Sequence, residues 1–133
     1  MNVVFADISY YFAFLNARDE LHEQARAFTE DFDGKMVTTV WVLTELADGM
    51  AGPLDRQGFI AFLEGLRADP QVEIVPASQI LWDAGIELYA ARPDQDWSLT
   101  DCLSFVAMKR GGISDVLTGD HHFAQAGFTV LLK

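Results

Sequence analysis

Blocks of apolar residues alternate with polar punctuation along this chain, and their periods predict its elements. Val3-Val4-Phe5 is a short apolar run ending at Asp7, which predicts a buried first strand. Ser9 to Asn16 is apolar and aromatic, and predicts a helix with Ser9 as its N-cap. From Glu20 to Phe32 the residues Leu21, Ala25 and Phe28 recur at helical spacing with charges between them. Asp33-Gly34 marks a turn. Met36 to Val40 is rich in β-branched residues and predicts strand two. A helix follows through Leu43, Leu46 and Ala47 and ends near Gly49. Beyond the Gly52-Pro53 loop, Phe59, Phe62, Leu63 and Leu66 form an apolar helical stripe that Asp69-Pro70 stops. Val72 to Val75 predicts strand three, and Ile80 to Tyr89 a helix through Leu81, Ala84 and Leu88. Pro93 to Asp96 is a polar loop. Ser98 to Asp101 opens a helix that Lys109-Arg110-Gly111-Gly112 closes, with cations in its last turn and glycine beyond. Val116 to Thr118 and Phe128 to Leu132 predict strands four and five.

Strands alternating with helices from end to end predict a parallel sheet covered on both faces, an α/β fold of three layers. No repeat, low-complexity tract or linker interrupts it, so residues 1–133 read as a single domain. Hydrophobic residues make up 50% of the chain, enough for a core without staples. Cys102 is the only cysteine, which rules out an internal disulfide and suits the cytoplasm. The start lacks a basic n-region, so no signal peptide is expected. No apolar run approaches the roughly 20 residues that span a bilayer.

Charge complicates this ordinary picture. The net charge is −11, with only nine Lys and Arg, scattered from Arg18 to Lys133. That composition argues against a protein that grips phosphate through a basic surface. It suits either divalent cations in an acidic cleft or a basic protein partner.

Four acids occupy similar places. Asp7 ends strand one, Glu45 lies about a turn into the helix after strand two, Asp101 lies in the first turn of its helix, and Asp120 follows strand four. Ligand sites of open parallel sheets lie beyond the carboxyl ends of the strands, where these four can converge. Carboxylates gathered there repel one another unless a cation compensates. Hard oxygen donors select Mg²⁺ or Mn²⁺, and no Cys/His cluster points to zinc. Such an ion stabilises the attacking and leaving oxygens of a phosphodiester. Each acid also has a structural reading. Asp7 and Asp120 suit helix N-caps, Asp101 suits the capping-box position after Ser98, and Glu45 suits a solvated helix face.

The local sequences add a resemblance. Phe5-Ala6-Asp7-Ile8-Ser9 resembles the opening of PIN domains, and Thr44-Glu45-Leu46-Ala47-Asp48-Gly49 their second motif. Asp96 to Phe105 resembles the third motif of VapC-type PIN proteins, and Thr118-Gly119-Asp120-His121-His122-Phe123 the pattern that closes the family's site. The resemblance implies a parallel sheet in the order 3-2-1-4-5 and a Mg²⁺- or Mn²⁺-dependent endoribonuclease of the toxin type. It implies Asp7, Glu45, Asp101 and Asp120 as metal-ligating catalytic acids, with Ser9 and Thr118 orienting carboxylates. It also implies RNA as substrate, a small antitoxin with a basic segment, and a homodimer, with Phe12, Phe14 and the helix from Arg56 to Leu66 as interface candidates.

Other residues are secondary. Asp96 suits either a supporting role toward a second metal or substrate, or a loop acid that shapes the helix start. Asp115 precedes strand four and falls at the opposite end from Asp120. His121 and His122 suit surface positions at a helix start better than a general base. Cys102 suits a small buried apolar role. Trp97 suits packing over its loop better than stacking on a base. The aromatic run Tyr10, Tyr11, Phe12 and Phe14 suits core or interface.

Competing functions are a PIN-fold RNA- or protein-binding module without nuclease activity, and two other acid-site folds. A phospho-receiver needs an Asp after strand three, where Val75 leads to Pro76-Ala77-Ser78. A haloacid-dehalogenase-type phosphatase needs a second Asp two residues after the first, where Ser9 stands.

Overall fold

A computed structural model describes residues 2–133. Its elements run β1 (Val3–Ala6), α1 (Ile8–Leu15), α2 (His22–Asp31), β2 (Lys35–Thr39), α3 (Val40–Gly49), α4 (Arg56–Ala68), β3 (Val72–Val75), α5 (Gln79–Ala91), α6 (Leu99–Arg110), β4 (Asp115–Leu117), α7 (His121–Gln125) and β5 (Thr129–Val130). The five strands form one all-parallel sheet in the order β3-β2-β1-β4-β5. The α/β architecture and the strand order both agree with the sequence reading.

β1 is central because it is the most apolar strand. Val4, Phe5 and Ala6 are all buried, which suits a strand covered on both faces and flanked on both edges. Its residues pair with β2 on one side (Phe5 with Val37) and β4 on the other (Phe5 with Val116). At the carboxyl end of the sheet the Thr38 hydroxyl donates to the Ala6 carbonyl at 2.9 Å, fixing β2 to β1. The core beneath holds Tyr11, Val42, Leu46, Phe105, Met108 and Phe123.

Several boundaries differ from the sequence reading. Ser9 lies inside α1 and is not its N-cap; Asp7 holds that position. β2 stops at Thr39, because Thr39 itself caps α3 by accepting from the Val42 N–H at 3.2 Å, so Val40 is already helical. β4 starts one residue early at Asp115, leaving Thr118 beyond its end. β5 has only two residues, although the Leu131 N–H still donates to the Val116 carbonyl and Leu132 to Thr118.

Two glycines are required by close approach. A Cβ on Gly34 would collide with the carbonyl oxygen of Asn2, where β2 comes up against β1. A Cβ on Gly85 would sit 2.5 Å from Leu103 Cδ2, so Gly85 sets how closely α5 lies on α6. α4 buries no residue fully; its stripe of Phe59, Phe62, Leu63 and Leu66 is only half-buried. Among the described residues no helix is long and apolar enough to cross a membrane.

Candidate metal centre

The crevice beyond β1 and β4 starts from Asp7. This residue directly follows the central strand and is 3% exposed. It holds the N-cap position of α1, yet its side chain makes no capping bond. Its Oδ2 instead accepts from the Thr118 hydroxyl at 2.9 Å.

Hydrogen counting then assigns the surrounding network. Thr118 has one hydroxyl hydrogen, given to Asp7, and two lone pairs. One pair accepts from the Asp120 N–H at 3.0 Å and the other from the Ser9 hydroxyl at 2.7 Å. Ser9 Oγ in turn accepts from the Gly119 N–H at 3.2 Å. The network ties the start of α1 to the Thr118-Gly119-Asp120 turn and fixes the direction in which Asp7 points.

Asp101 and Asp120 complete the cluster while also capping their own helices. Ser98 and Asp101 form a full capping box, with the Asp101 N–H donating to Ser98 Oγ at 3.0 Å and the Ser98 N–H donating to Asp101 Oδ2 at 3.1 Å. Asp120 Oδ1 accepts from the His122 N–H at 2.9 Å, capping α7. The structural and the site readings of these two acids are therefore compatible, since each cap fixes a carboxylate that also faces the crevice. Among the described residues no hydrogen bond reaches Asp101 Oδ1 or Asp120 Oδ2.

His122 joins them. Its Nδ1 lies 3.0 Å from Asp101 Oδ2 and 3.3 Å from Asp120 Oδ1, so a proton on Nδ1 is donated to the acid pair. The sequence reading put His122 on the surface; its side chain is only 21% exposed. A signal was available, because a helical side chain leans back over the turn preceding it, here the turn carrying Asp120. His121 is 75% exposed.

Electrostatics show what the cluster lacks. Burial pushes the Asp7 carboxyl up to about 6, helped by the negative charges of Asp101 and Asp120 and opposed by the Thr118 hydroxyl and the Ile8 N–H. Burial also raises Asp101, with Asp120 adding to it while the Ser98 N–H and His122 pull it down. No Lys or Arg forms an ion pair with these acids among the described residues. A buried, mutually repelling set of hard oxygens fits a divalent cation by charge and by donor type.

The structure thus brings together Asp7, Asp101 and Asp120, with Thr118 bonded to Asp7 and to the Asp120 N–H, and Ser9 bonded to Thr118. Glu45 is half-buried on α3, the helix that follows β2, and shares no hydrogen bond or ion pair with the three aspartates. Asp96 is exposed on the loop before α6. Asp115 is exposed at the amino end of β4. Cys102 is buried without a partner thiol. Trp97 is buried too, edge-on to Phe105 at 5.1 Å, with its Nε1 donating to Gln125 at 3.2 Å and Arg92 over its ring. It anchors the loop before Asp101 and is not free to stack on a base.

Crevice and sheet define an α/β/α protein whose site lies at the carboxyl edge of parallel strands. The chain belongs to the PIN domain family, whose model matches residues 4–129. No curated protein matches it in sequence. Solved structures with this fold include Mycobacterium tuberculosis VapC20, described as a sarcin-ricin loop cleaving toxin. It is 22% identical with a TM-score of 0.87, over 99% of this chain and 100% of that one. FitAcB from Neisseria gonorrhoeae is 18% identical, TM-score 0.70, over 96% of each chain. VapBC2 from Rickettsia felis, bound to a promoter DNA fragment, is 12% identical, TM-score 0.69, over 97% of each.

Proposed function

We propose that residues 1–133 are a single PIN domain acting as a Mg²⁺- or Mn²⁺-dependent endoribonuclease, the toxin of a type II toxin-antitoxin pair. The observation that carries this is the buried Asp7 carboxylate, held by Thr118 and facing two further aspartates with no Lys or Arg paired to them among the described residues. Asp7, Glu45, Asp101 and Asp120 would hold the ion, with Asp96 a supporting acid at the rim. Bound there, it would supply charge neutralisation at a phosphodiester under attack. The chain's own contribution is positional. Thr118 and Ser9 fix Asp7, the two helix caps fix Asp101 and Asp120, and the buried Trp97 anchors the approach to Asp101. The buried, unpaired Cys102 suits the cytoplasm.

Shape and charge also support the partner. Tyr10, Phe14, Phe32, Phe62 and Leu66 line an apolar groove of about 380 Å³ among α1, α2 and α4. A basic, amphipathic antitoxin segment would bury apolar side chains there and complement a net charge of −11. A second copy of the chain would cover the apolar face of α5, where Trp82, Ile86 and Tyr89 are exposed at helical spacing.

The decisive experiment incubates structured RNA, including the sarcin-ricin stem-loop, with the purified chain and Mg²⁺ or Mn²⁺. Cleavage that is lost with EDTA and in Asp7→Asn and Asp101→Asn is the expected result. Cleavage unchanged in both variants refutes it, and metal binding without cleavage of any RNA would leave a binding module.

A further inference from the structure

The two histidines give the crevice a donor type that a hard-cation site does not need. One donor atom each of Asp120, His121 and His122 lie within 4.8 Å of one another. His122 Nδ1 is 3.3 Å from Asp120 Oδ1 and 3.0 Å from Asp101 Oδ2, and His121 Nδ1 is 3.8 Å from Asp120 Oδ1. Two donors on one transition-metal ion, each about 2.0–2.2 Å from it, stand about 3–3.5 Å apart. The first separation already matches that spacing. The third closes by a small rotation of His121, whose exposed ring is free to turn.

We propose that Asp120, His121 and His122 form a site for a borderline transition metal of the Zn²⁺ class at the rim of the crevice, which competes with Mg²⁺ because it shares Asp120. The proposal rests on the carboxylate reading given under Proposed function. Imidazole nitrogen suits Zn²⁺ and Co²⁺, whereas Mg²⁺ keeps to oxygen donors and water. Two nitrogens and one carboxylate, with water in the fourth position, make a donor set of the kind such ions take. His122 enters it with its proton on Nε2, so ion binding replaces the Nδ1 contact to the acid pair. The capping bond keeps the site in shape, because it holds Asp120 through Oδ1, and that oxygen keeps a second lone pair for an ion. The consequence is a brake: the ion occupies Asp120, one of the acids that the hard metal requires, without displacing Asp7.

Isothermal titration of the full chain with ZnCl₂ and separately with MgCl₂ tests this, together with the visible spectrum of the Co²⁺ form. In His122→Asn and in His121→Asn, Zn²⁺ affinity should fall about tenfold or more and the Co²⁺ bands should collapse. In His121→Asn, Mg²⁺ affinity should stay within about twofold of wild type. His121 is on the surface, so its variant reports on ligation even if the His122 variant is destabilised. Zn²⁺ affinity equal in wild type and both variants overturns this inference alone. A wild type that binds Zn²⁺ through the histidines but no Mg²⁺ refutes the carboxylate reading instead, and with it the competition claimed here.

Discussion

Asp7 and Thr118 are 111 positions apart in the chain and 2.9 Å apart in space, joined by a hydroxyl that donates to a buried carboxylate. The pair turns a sheet edge into a site. It also makes Asp7 costly, because the hydroxyl offsets only part of what burial and two neighbouring acids add.

Asp7→Asn should therefore stabilise the metal-free protein while abolishing metal-dependent cleavage. An asparagine keeps an oxygen to accept from Thr118 and removes the buried charge. The shift from 3.8 to about 6 corresponds to roughly 3 kcal/mol as an upper figure at neutral pH. Urea melts in EDTA at pH 7 read it; a clear loss of stability would make Asp7 a structural residue.

Metal-free stability should fall as pH rises from about 4 to about 6. A carboxyl whose folded value lies above its unfolded one binds more protons when folded, so its contribution is full below the unfolded value and is lost through the folded value. Asp101 is raised as well and acts in the same direction. Saturating Mg²⁺ should flatten or reverse the slope. Thermal melts across this range, with and without the ion, give the sign directly.

Thr118→Val preserves shape and removes the hub. The Asp120 N–H and the Ser9 hydroxyl lose their acceptor and Asp7 its donor, which should cost about 1–3 kcal/mol. Thr118→Ser should restore most of this. Paired denaturation curves and cleavage rates for the two variants separate hydrogen bonding from packing. A loss in Thr118→Ser with little in Thr118→Val would point to the methyl group.

Gly85→Val should destabilise by about 1–3 kcal/mol, since even a Cβ would meet Leu103 at 2.5 Å. Leu103 lies two residues from Asp101, so metal affinity should drop too. Gly65→Ala, where nothing lies within 4 Å, is the control expected to be neutral or slightly stabilising.

The elements and the parallel layering were legible because their periods are clear, and the central position of β1 came through the PIN resemblance. Boundaries were harder for physical reasons. Thr39 has the β-branched look of a strand residue but ends β2 by capping α3. Apolar periodicity over Phe128 to Leu132 continues past the point where regular pairing stops, because Leu131 and Leu132 still bond to β4's chain beyond the two-residue strand. The site was partly readable: acids after strands stand out, and three of the four gather. His122 did not stand out in the apolar pattern; its signal lay in side-chain direction, since a helical residue leans back over the turn before it, here its own cap.

The place of β1 in the middle of the sheet has a consequence for biosynthesis. A ribosome delivers β1, β2 and β3 early, but one edge of β1 stays open until β4 emerges. The Thr118 hydroxyl and Asp120 arrive on that same late stretch. Whatever chemistry the crevice performs, a nascent chain halted at Gly112 lacks the parts to perform it, so the crevice stays incomplete until β4 and the Thr118-Gly119-Asp120 turn have been made.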